Sequence, residues 1–326
     1  MLEKFKRIKL GHFPTPIEPL KNISQFLGGP NIFIKRDDCT SLSTGGNKTR
    51  KLEFLIPDAM KNKAELVVTI GAVQSNHARQ TAAACTLMGL KCLIILEQRL
   101  KDPPDAYMNS GNIFLDKLFG ADIKLCPRSE NILEYSSKVI EDLKSKGTNV
   151  YFIPGGGSNS VGALGYVECL NEIIKEDKKY NFSQIVHATG SSGTQAGLLA
   201  GRKYFNCNIP VIGICVRHKK DTQVDKVYAE AKKVCEKLRC NTLDKTDVIV
   251  YDEYIGSGYG KPTEGMIEAT KLLAKKEAIL LDPVYSGKAF AGLIDLINNK
   301  KFKKNENVLF IHTGGAVSLS AYEWIF

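Results

Sequence analysis

The sequence predicts an α/β protein of two domains, with mostly parallel twisted sheets flanked by helices. Three observations predict it. Short β-branched apolar runs recur along the 326 residues. Amphipathic stretches of about ten to fifteen residues separate them, the spacing that parallel strands need for their crossover helices. Several runs also end in loops of small residues that open a helix.

Taken in order, the strand candidates are NIFIKRDD (31–38), ELVVTIGA (65–72), KCLIILE (91–97), ADIKLC (121–126) and NVYFIPG (149–155), then QIVHATG (184–190), PVIGICV (210–216), DVIVYDE (247–253) and NVLFIHTG (307–314). They are nearly continuous in apolar residues, as strands covered on both faces must be. Between them lie helical stretches such as NHARQTAAACTLMG (76–89), NIFLDKLFG (112–120) and VGALGYVECLNEIIKE (161–176).

Composition excludes several classes. Apolar residues make up 43% and charged residues 25%, which is ordinary for a globular chain and unlike a disordered or fibrous one. No apolar run approaches the roughly 20 residues that span a bilayer, and the basic N-terminus lacks the apolar core of a signal peptide. Lysine and arginine exceed aspartate and glutamate by 45 to 35, a net charge of +10. The lysines are scattered beside acidic residues without stacking aromatics, so the surplus reads as a solvated surface and no nucleic-acid partner is expected. The nine cysteines are odd in number, with no C-x-x-C pair. They read as reduced packing residues in a cytoplasmic protein, with no metal site.

Four loops follow strands and open helices: TIGAVQSNHARQ (69–80), FIPGGGSNSVGALG (152–165), HATGSSGTQAGLLAG (187–201) and FIHTGGAVSLSAY (310–322). Ligands of open α/β sheets bind beyond the carboxyl ends of the strands. Helix N-termini there present free N–H groups to anions. The P-loop pattern is absent, and Gly256-Ser257-Gly258-Tyr259-Gly260 lacks the third glycine of a dinucleotide fingerprint. Gly190-Ser191-Ser192-Gly193-Thr194 offers successive N–H groups and three hydroxyls. That suits either a phosphate monoester or a tight turn with capping serines. A second constellation runs from Lys35-Arg36-Asp37-Asp38 to Ser43-Thr44-Gly45-Gly46-Asn47-Lys48-Thr49-Arg50-Lys51. Lys48 falls at a helix start among cations, where the neutral amine is favoured and can form a Schiff base with a carbonyl. The alternative is a lysine in a basic surface patch.

A Schiff-base lysine together with a Ser/Gly/Thr phosphate cup describes a pyridoxal-phosphate site. The chain resembles the β-family of pyridoxal-phosphate enzymes, of fold type II with the tryptophan-synthase-β-like fold. Within it, the resemblance is to the branch of D-cysteine desulfhydrases and 1-aminocyclopropane-1-carboxylate deaminases. The motifs that carry it run end to end: FPTPIEPL, IFIKRDD, GGNKTRKLEFL, GAVQSNHARQTAA, GGGSNSVGALGY, GSSGTQAG, GYGKPTEGM, LDPVYSGKAFAGLID and FIHTGGA.

The resemblance implies roles. Lys48 carries pyridoxal 5′-phosphate, Asn76 meets its phenolic oxygen, and Gly190 to Thr194 (with Ser191, Ser192 and Gly193) hold the phosphate. Ser75, Asn76 and His77 take the substrate carboxylate. Tyr259 and Tyr285 face the substrate, and Lys48, Ser75, Tyr259 and Tyr285 are the catalytic candidates. Residues 1–48 and 163–326 form a large cofactor domain, residues 49–162 a small one, and two copies a homodimer. His77 also has a packing reading, and His312 reads as a core histidine. Tyr107, Arg79 and Glu264 are candidates for support behind these residues.

The branch divides, in this resemblance, at the pyridine nitrogen. The deaminase pattern PVYEGK with HLGG places a glutamate there; the desulfhydrase pattern PVYTGK with HTGG places a threonine hydroxyl. This chain has Tyr285-Ser286-Gly287-Lys288 and His312-Thr313-Gly314-Gly315. The hydroxyls of Ser286, at the substrate, and Thr313, at the cofactor, imply a sink sufficient for β-elimination. The implied activity is conversion of D-cysteine to pyruvate, ammonia and hydrogen sulfide. Cyclopropane-ring opening, cysteate desulfonation and an inactive binding protein on the same fold remain alternatives.

Overall fold

A computed structural model of the chain describes residues 2–326. Its first half runs β1 (Ile17–Pro19), α1 (Lys21–Leu27), β2 (Asn31–Lys35), α2 (Lys48–Lys61), β3 (Leu66–Ala72), α3 (Asn76–Leu87), β4 (Lys91–Glu97), α4 (Asp105–Asn109), α5 (Gly111–Leu118), β5 (Asp122–Cys126), α6 (Ile132–Ser145) and β6 (Val150–Ile153). The second half runs α7 (Leu164–Tyr180), β7 (Phe182–Thr189), α8 (Gly193–Phe205), β8 (Val211–Cys215), α9 (Lys220–Leu238), β9 (Ile249–Tyr251), α10 (Glu264–Glu277), α11 (Ser286–Asn298) and β10 (Asn307–Ile311). Every apolar run read as a strand forms one. β1 is the strand the apolar pattern does not predict. It is three residues long and ends in Pro19, which is tolerated because β1 lies at a sheet edge.

Two sheets result, in the orders β1-β2-β10-β7-β8-β9 and β5-β4-β3-β6. All pairings are parallel except β1 with β2. The smaller sheet draws its strands from residues 66–153 alone, and the larger from 17–35 and 182–311.

Side-chain alternation explains the unbroken apolar runs. In β10, Leu309 and Ile311 pack with α7, α8 and α9 on one face, while Val308 and Phe310 pack with α11 on the other. In the smaller sheet Val67, Ile94 and Leu96 face α3, whereas Val68, Leu93 and Ile95 face α6. The central strands of each sheet are therefore dry on both faces, while the edge strand β5 is mostly exposed. Each fully buried side chain of this size contributes about 1.5–3 kcal/mol of transfer free energy.

A buried ionic network seats α2. Arg50 donates to Asp37 Oδ1 and Oδ2 and to Glu172 Oε1 and Oε2, each at 2.8 Å. Lys35 Nζ donates to Glu172 Oε2 at 2.7 Å. The Lys35 to Asp38 segment is thus an internal anchor and not a basic surface patch: it ties α2 to β2 and α7. Removing one partner of such a network costs about 3–5 kcal/mol.

Among the described residues no helix is long and apolar enough to cross a membrane. All nine cysteines are free thiols, six of them buried.

Candidate active site

The carboxyl ends of β7 and β10 converge with the starts of α2, α3 and α8 on one cleft. Lys48 enters it from the first residue of α2. The segment before it is shaped by Gly45 (φ +80°) and Gly46 (φ +127°). A Cβ on Gly46 would lie 2.5 Å from Gln80 Nε2, so a larger residue there would displace the amide that holds Thr49 N. The segment is clipped on both sides: Asn47 N donates to Thr313 O at 3.0 Å, and Thr49 N to Gln80 Oε1 at 2.9 Å.

Lys48 is buried, and among the described residues its Nζ has no hydrogen-bond or ion-pair partner. Burial lowers its pKa to about 8, against the opposing pull of Asp282. Loss of hydration therefore makes this amine nucleophilic, where the sequence reading invoked neighbouring cations.

Asn76 opens α3, capped by Ser75, whose Oγ accepts from Ala78 N at 3.1 Å. Asn112 Nδ2 donates to Asn76 Oδ1 at 2.9 Å, which leaves Asn76 Nδ2 as a donor toward the cleft. A Cβ on Gly315 would sit 2.6 Å from that nitrogen, so glycine keeps the donor open.

The turn Gly190–Thr194 joins β7 to α8. Gly190, Ser191, Ser192 and Thr194 line the cleft; Gly193 N is spent on Ser158 Oγ at 3.2 Å. Ser192 adopts φ +73°, a conformation that costs a residue with a Cβ about 1–3 kcal/mol and persists where the surroundings enforce it. Ser158 braces the turn, donating to Ser191 Oγ at 2.9 Å and accepting from Lys51 Nζ at 3.3 Å. The start of a thirteen-residue helix and the hydroxyl residues Ser191, Ser192 and Thr194 thus line one part of the cleft.

Tyr285 and Thr313 complete the lining. The Tyr259 and Tyr285 hydroxyls are hydrogen-bonded, their rings edge-on at 5.7 Å, with Tyr259 one layer behind. Burial raises the pKa of both, so both remain phenols.

Two expected residues, Ser286 and Glu264, sit elsewhere than their roles imply, and the ring of a third, His77, packs inward. Ser286 is fully buried; its hydroxyl donates to Asp282 Oδ1 at 2.7 Å and accepts from Asp282 N at 2.8 Å, tying the start of α11 to the loop before it. The His77 ring lies inside the small lobe, with Nε2 2.8 Å from Thr69 Oγ1. Thr69 Oγ1 donates to Ile153 O, so His77 Nε2 carries the proton. Burial, then Lys48 and Lys51, hold this ring neutral, which leaves its backbone N–H as the group at the helix start. Glu264 is exposed on α10.

Several neighbours were not singled out from sequence. Asn47, beside Lys48, donates to Thr194 Oγ1 at 3.3 Å. Asp282 accepts the backbone N–H groups of Val284, Tyr285 and Ser286 at 2.6–2.9 Å. Adjacency to Lys48 is a signal for Asn47, an aspartate just before a helix is one for Asp282, and Ser158 lies in one of the four strand-end loops; Asn112 leaves none.

The donor set fits pyridoxal phosphate. An unpartnered buried amine suits its aldehyde, a freed amide donor its phenolic oxygen, and a helix start with hydroxyls its phosphate. The Thr313 hydroxyl suits its ring nitrogen.

Comparison with known proteins agrees. The pattern of the family described as "Pyridoxal-phosphate dependent enzyme" matches residues 8–314. A D-cysteine desulfhydrase of Klebsiella pneumoniae (strain 342) is 44% identical over 322 residues, 98% of this chain and 97% of that protein. A second, from another strain of the species, is 43% identical over the same span. The crystal structure of an ACC deaminase homologue superposes with a TM-score of 0.91 at 37% identity, covering 99% of this chain and 96% of that one. A hydrogen sulfide-producing enzyme from Fusobacterium nucleatum shares the fold at TM-score 0.67 and 15% identity, over 94% and 96% of the two chains.

Proposed function

The chain belongs to the pyridoxal-phosphate-dependent enzymes, and from that premise we propose that it eliminates sulfide from D-cysteine, yielding pyruvate, ammonia and hydrogen sulfide. The observation that carries this reading over ring opening is that, among the described residues, a hydroxyl and no carboxylate lines the cleft beside Gly314. A hydroxyl, Thr313, is what this chain offers a pyridine nitrogen. The 44% identity to D-cysteine desulfhydrase supports the same reading. The likeness to an ACC deaminase homologue favours ring opening as the second reading.

Lys48, Asn76, Thr313 and the turn Gly190–Thr194 hold the cofactor in this proposal. When bound, pyridoxal phosphate supplies an electron sink conjugated to the substrate nitrogen. The first N–H groups of α3, with the Ser75 hydroxyl, bind the substrate carboxylate. Lys48 Nζ, with its pKa lowered to about 8, takes the α-proton. The bond from the β-carbon to sulfur breaks with its electron pair on sulfur, and water releases ammonia and pyruvate. The Tyr285 hydroxyl borders this space, and Tyr259 orients it.

The proposal includes the lobe boundaries 1–48 with 163–326 and 49–162, supported by the segregation of strands between the sheets. It also includes a homodimer, tested by sedimentation, and a cytoplasmic location, supported by nine free thiols. Turnover is measured with D-cysteine, L-cysteine, cysteate and 1-aminocyclopropane-1-carboxylate. Sulfide and pyruvate from D-cysteine at the highest kcat/KM support the reading; a higher value for the cyclopropane substrate overturns it. Lys48→Ala is expected to abolish both turnover and the visible absorption of the bound cofactor.

A further inference from the structure

Tyr259 lies between two arginines that come from different sheets. Arg99 follows the end of β4 by two residues, with its guanidinium carbon 4.6 Å from the Tyr259 ring centroid. Arg217 follows the end of β8 by two residues, 5.8 Å from the same centroid. Arg99 pairs with Glu97 Oε2 at 2.6 Å. Arg217 has no hydrogen bond or ion pair among the described residues. Two guanidiniums thus meet at one ring with one carboxylate between them. His218, beside them, brings no compensating charge; burial, then Arg217, Lys226 and Arg99, lower its pKa to about 4.

Arg217 lies next to the cleft lining. A Cβ built on Gly190 would lie 4.0 Å from both Arg217 Cβ and Tyr285 Cε1. Tyr285 in turn is bonded to Tyr259. Arg217 thus stands beside Gly190 and Tyr285, which line the cleft, and Arg99 meets it across the Tyr259 ring. Partial burial, then the proximity of Arg99, weaken proton binding by Arg217, whose side chain is otherwise exposed to water.

We propose that Arg99 and Arg217 form an anion seat that receives the charged group carried by, or released from, the substrate β-carbon. The identity of that group rests on the elimination reading. In cysteine the C–S bond breaks with both electrons on sulfur, the thiol proton stays with it, and a hydrosulfide monoanion departs toward the arginines. A substrate bearing a permanent acid at that carbon would occupy the seat before any bond breaks.

Aspartate and asparagine separate charge from shape, because they differ at the group on the β-carbon and little in size. Binding of both enantiomers of each to the holoenzyme is measured by calorimetry and by the shift in cofactor absorption. Wild type is expected to favour aspartate over asparagine by about tenfold, the scale of one charge-assisted hydrogen bond. Arg217→Gln is expected to bring that ratio to about one, and Arg217→Lys to preserve most of it. Arg99→Gln frees Glu97 and is expected to turn the preference toward asparagine. A wild-type ratio near one, or a ratio unchanged by Arg217→Gln, overturns the seat. D-Cysteine turnover is read in parallel: its absence with the aspartate preference intact refutes elimination and leaves the seat standing.

Discussion

Asn112 decides which face Asn76 turns to the cleft. Its Nδ2 donates to Asn76 Oδ1 at 2.9 Å, and its own Oδ1 accepts from Arg79 Nε at 2.7 Å. Arg79 also donates through Nη2 to Gly45 O at 3.2 Å and through Nη1 to Ser43 O. One buried cation thus braces both the approach to Lys48 and the orientation of Asn76. Asn112→Asp replaces a donor with an acceptor, so Asn76 must turn its amide and present oxygen to the cleft. Cofactor affinity, measured by absorption titration of stripped enzyme, is expected to fall about tenfold or more.

Lys48 should mark stability with a defined sign. Its pKa falls from 10.5 unfolded to about 8 folded, through burial. Between those values the unfolded chain binds the extra proton, so stability rises with pH across about 8 to 10.5. Cofactor-free Lys48→Met is expected to be more stable than wild type at pH 7, on the order of 2–3 kcal/mol. Chemical denaturation at successive pH values should show that gap closing toward pH 10.5.

Asp116 gives the opposite pattern. Both its carboxyl oxygens are buried without a hydrogen-bond partner. Burial raises its pKa to about 8, only partly countered by Arg79. Here the folded chain holds the extra proton between about pH 4 and pH 8, so stability falls as pH rises through that window. Asp116→Asn is expected to be near neutral at pH 4 and stabilising by roughly 2–4 kcal/mol at pH 8. A difference that stays flat across the same series of melts would show that the carboxyl is hydrated and not buried.

Tyr285 and Tyr259 should separate in kinetics. Tyr285 lines the cleft and Tyr259 supports it through the hydroxyl pair. Tyr285→Phe is expected to lower kcat for D-cysteine by about a hundredfold, the low end for a positioned proton donor. Tyr259→Phe leaves that donor in place and is expected to cost less. Equal losses would assign the two hydroxyls one shared role.

Local features were legible because local physics produces them. Apolar periodicity located β2 to β10, since strands covered on both faces have few polar positions. β1 escaped because three residues, the last of them Pro19, carry no period. The turn Gly190–Thr194 and the helix start at Lys48 were visible as glycine and hydroxyl punctuation. Ser286 misled because its neighbours suggest a lining residue, while Asp282, four positions earlier, captures its hydroxyl.

By itself the sequence determined the sheet class and, through its motifs, the family, and it singled out Lys48 and the turn Gly190–Thr194 as site candidates. Those depend on side-chain period, backbone freedom and residues adjacent in the chain. Tertiary structure alone decided that Lys48 is dry and unpartnered, that Asn112 sets the Asn76 amide, and that His77 turns inward. It also brought Arg99 and Arg217 to one tyrosine. Each of these depends on groups dozens to more than two hundred residues apart in the chain. Burial and hydrogen-bond direction are properties of the packed surroundings, and those exist only once the lobes close around the cleft.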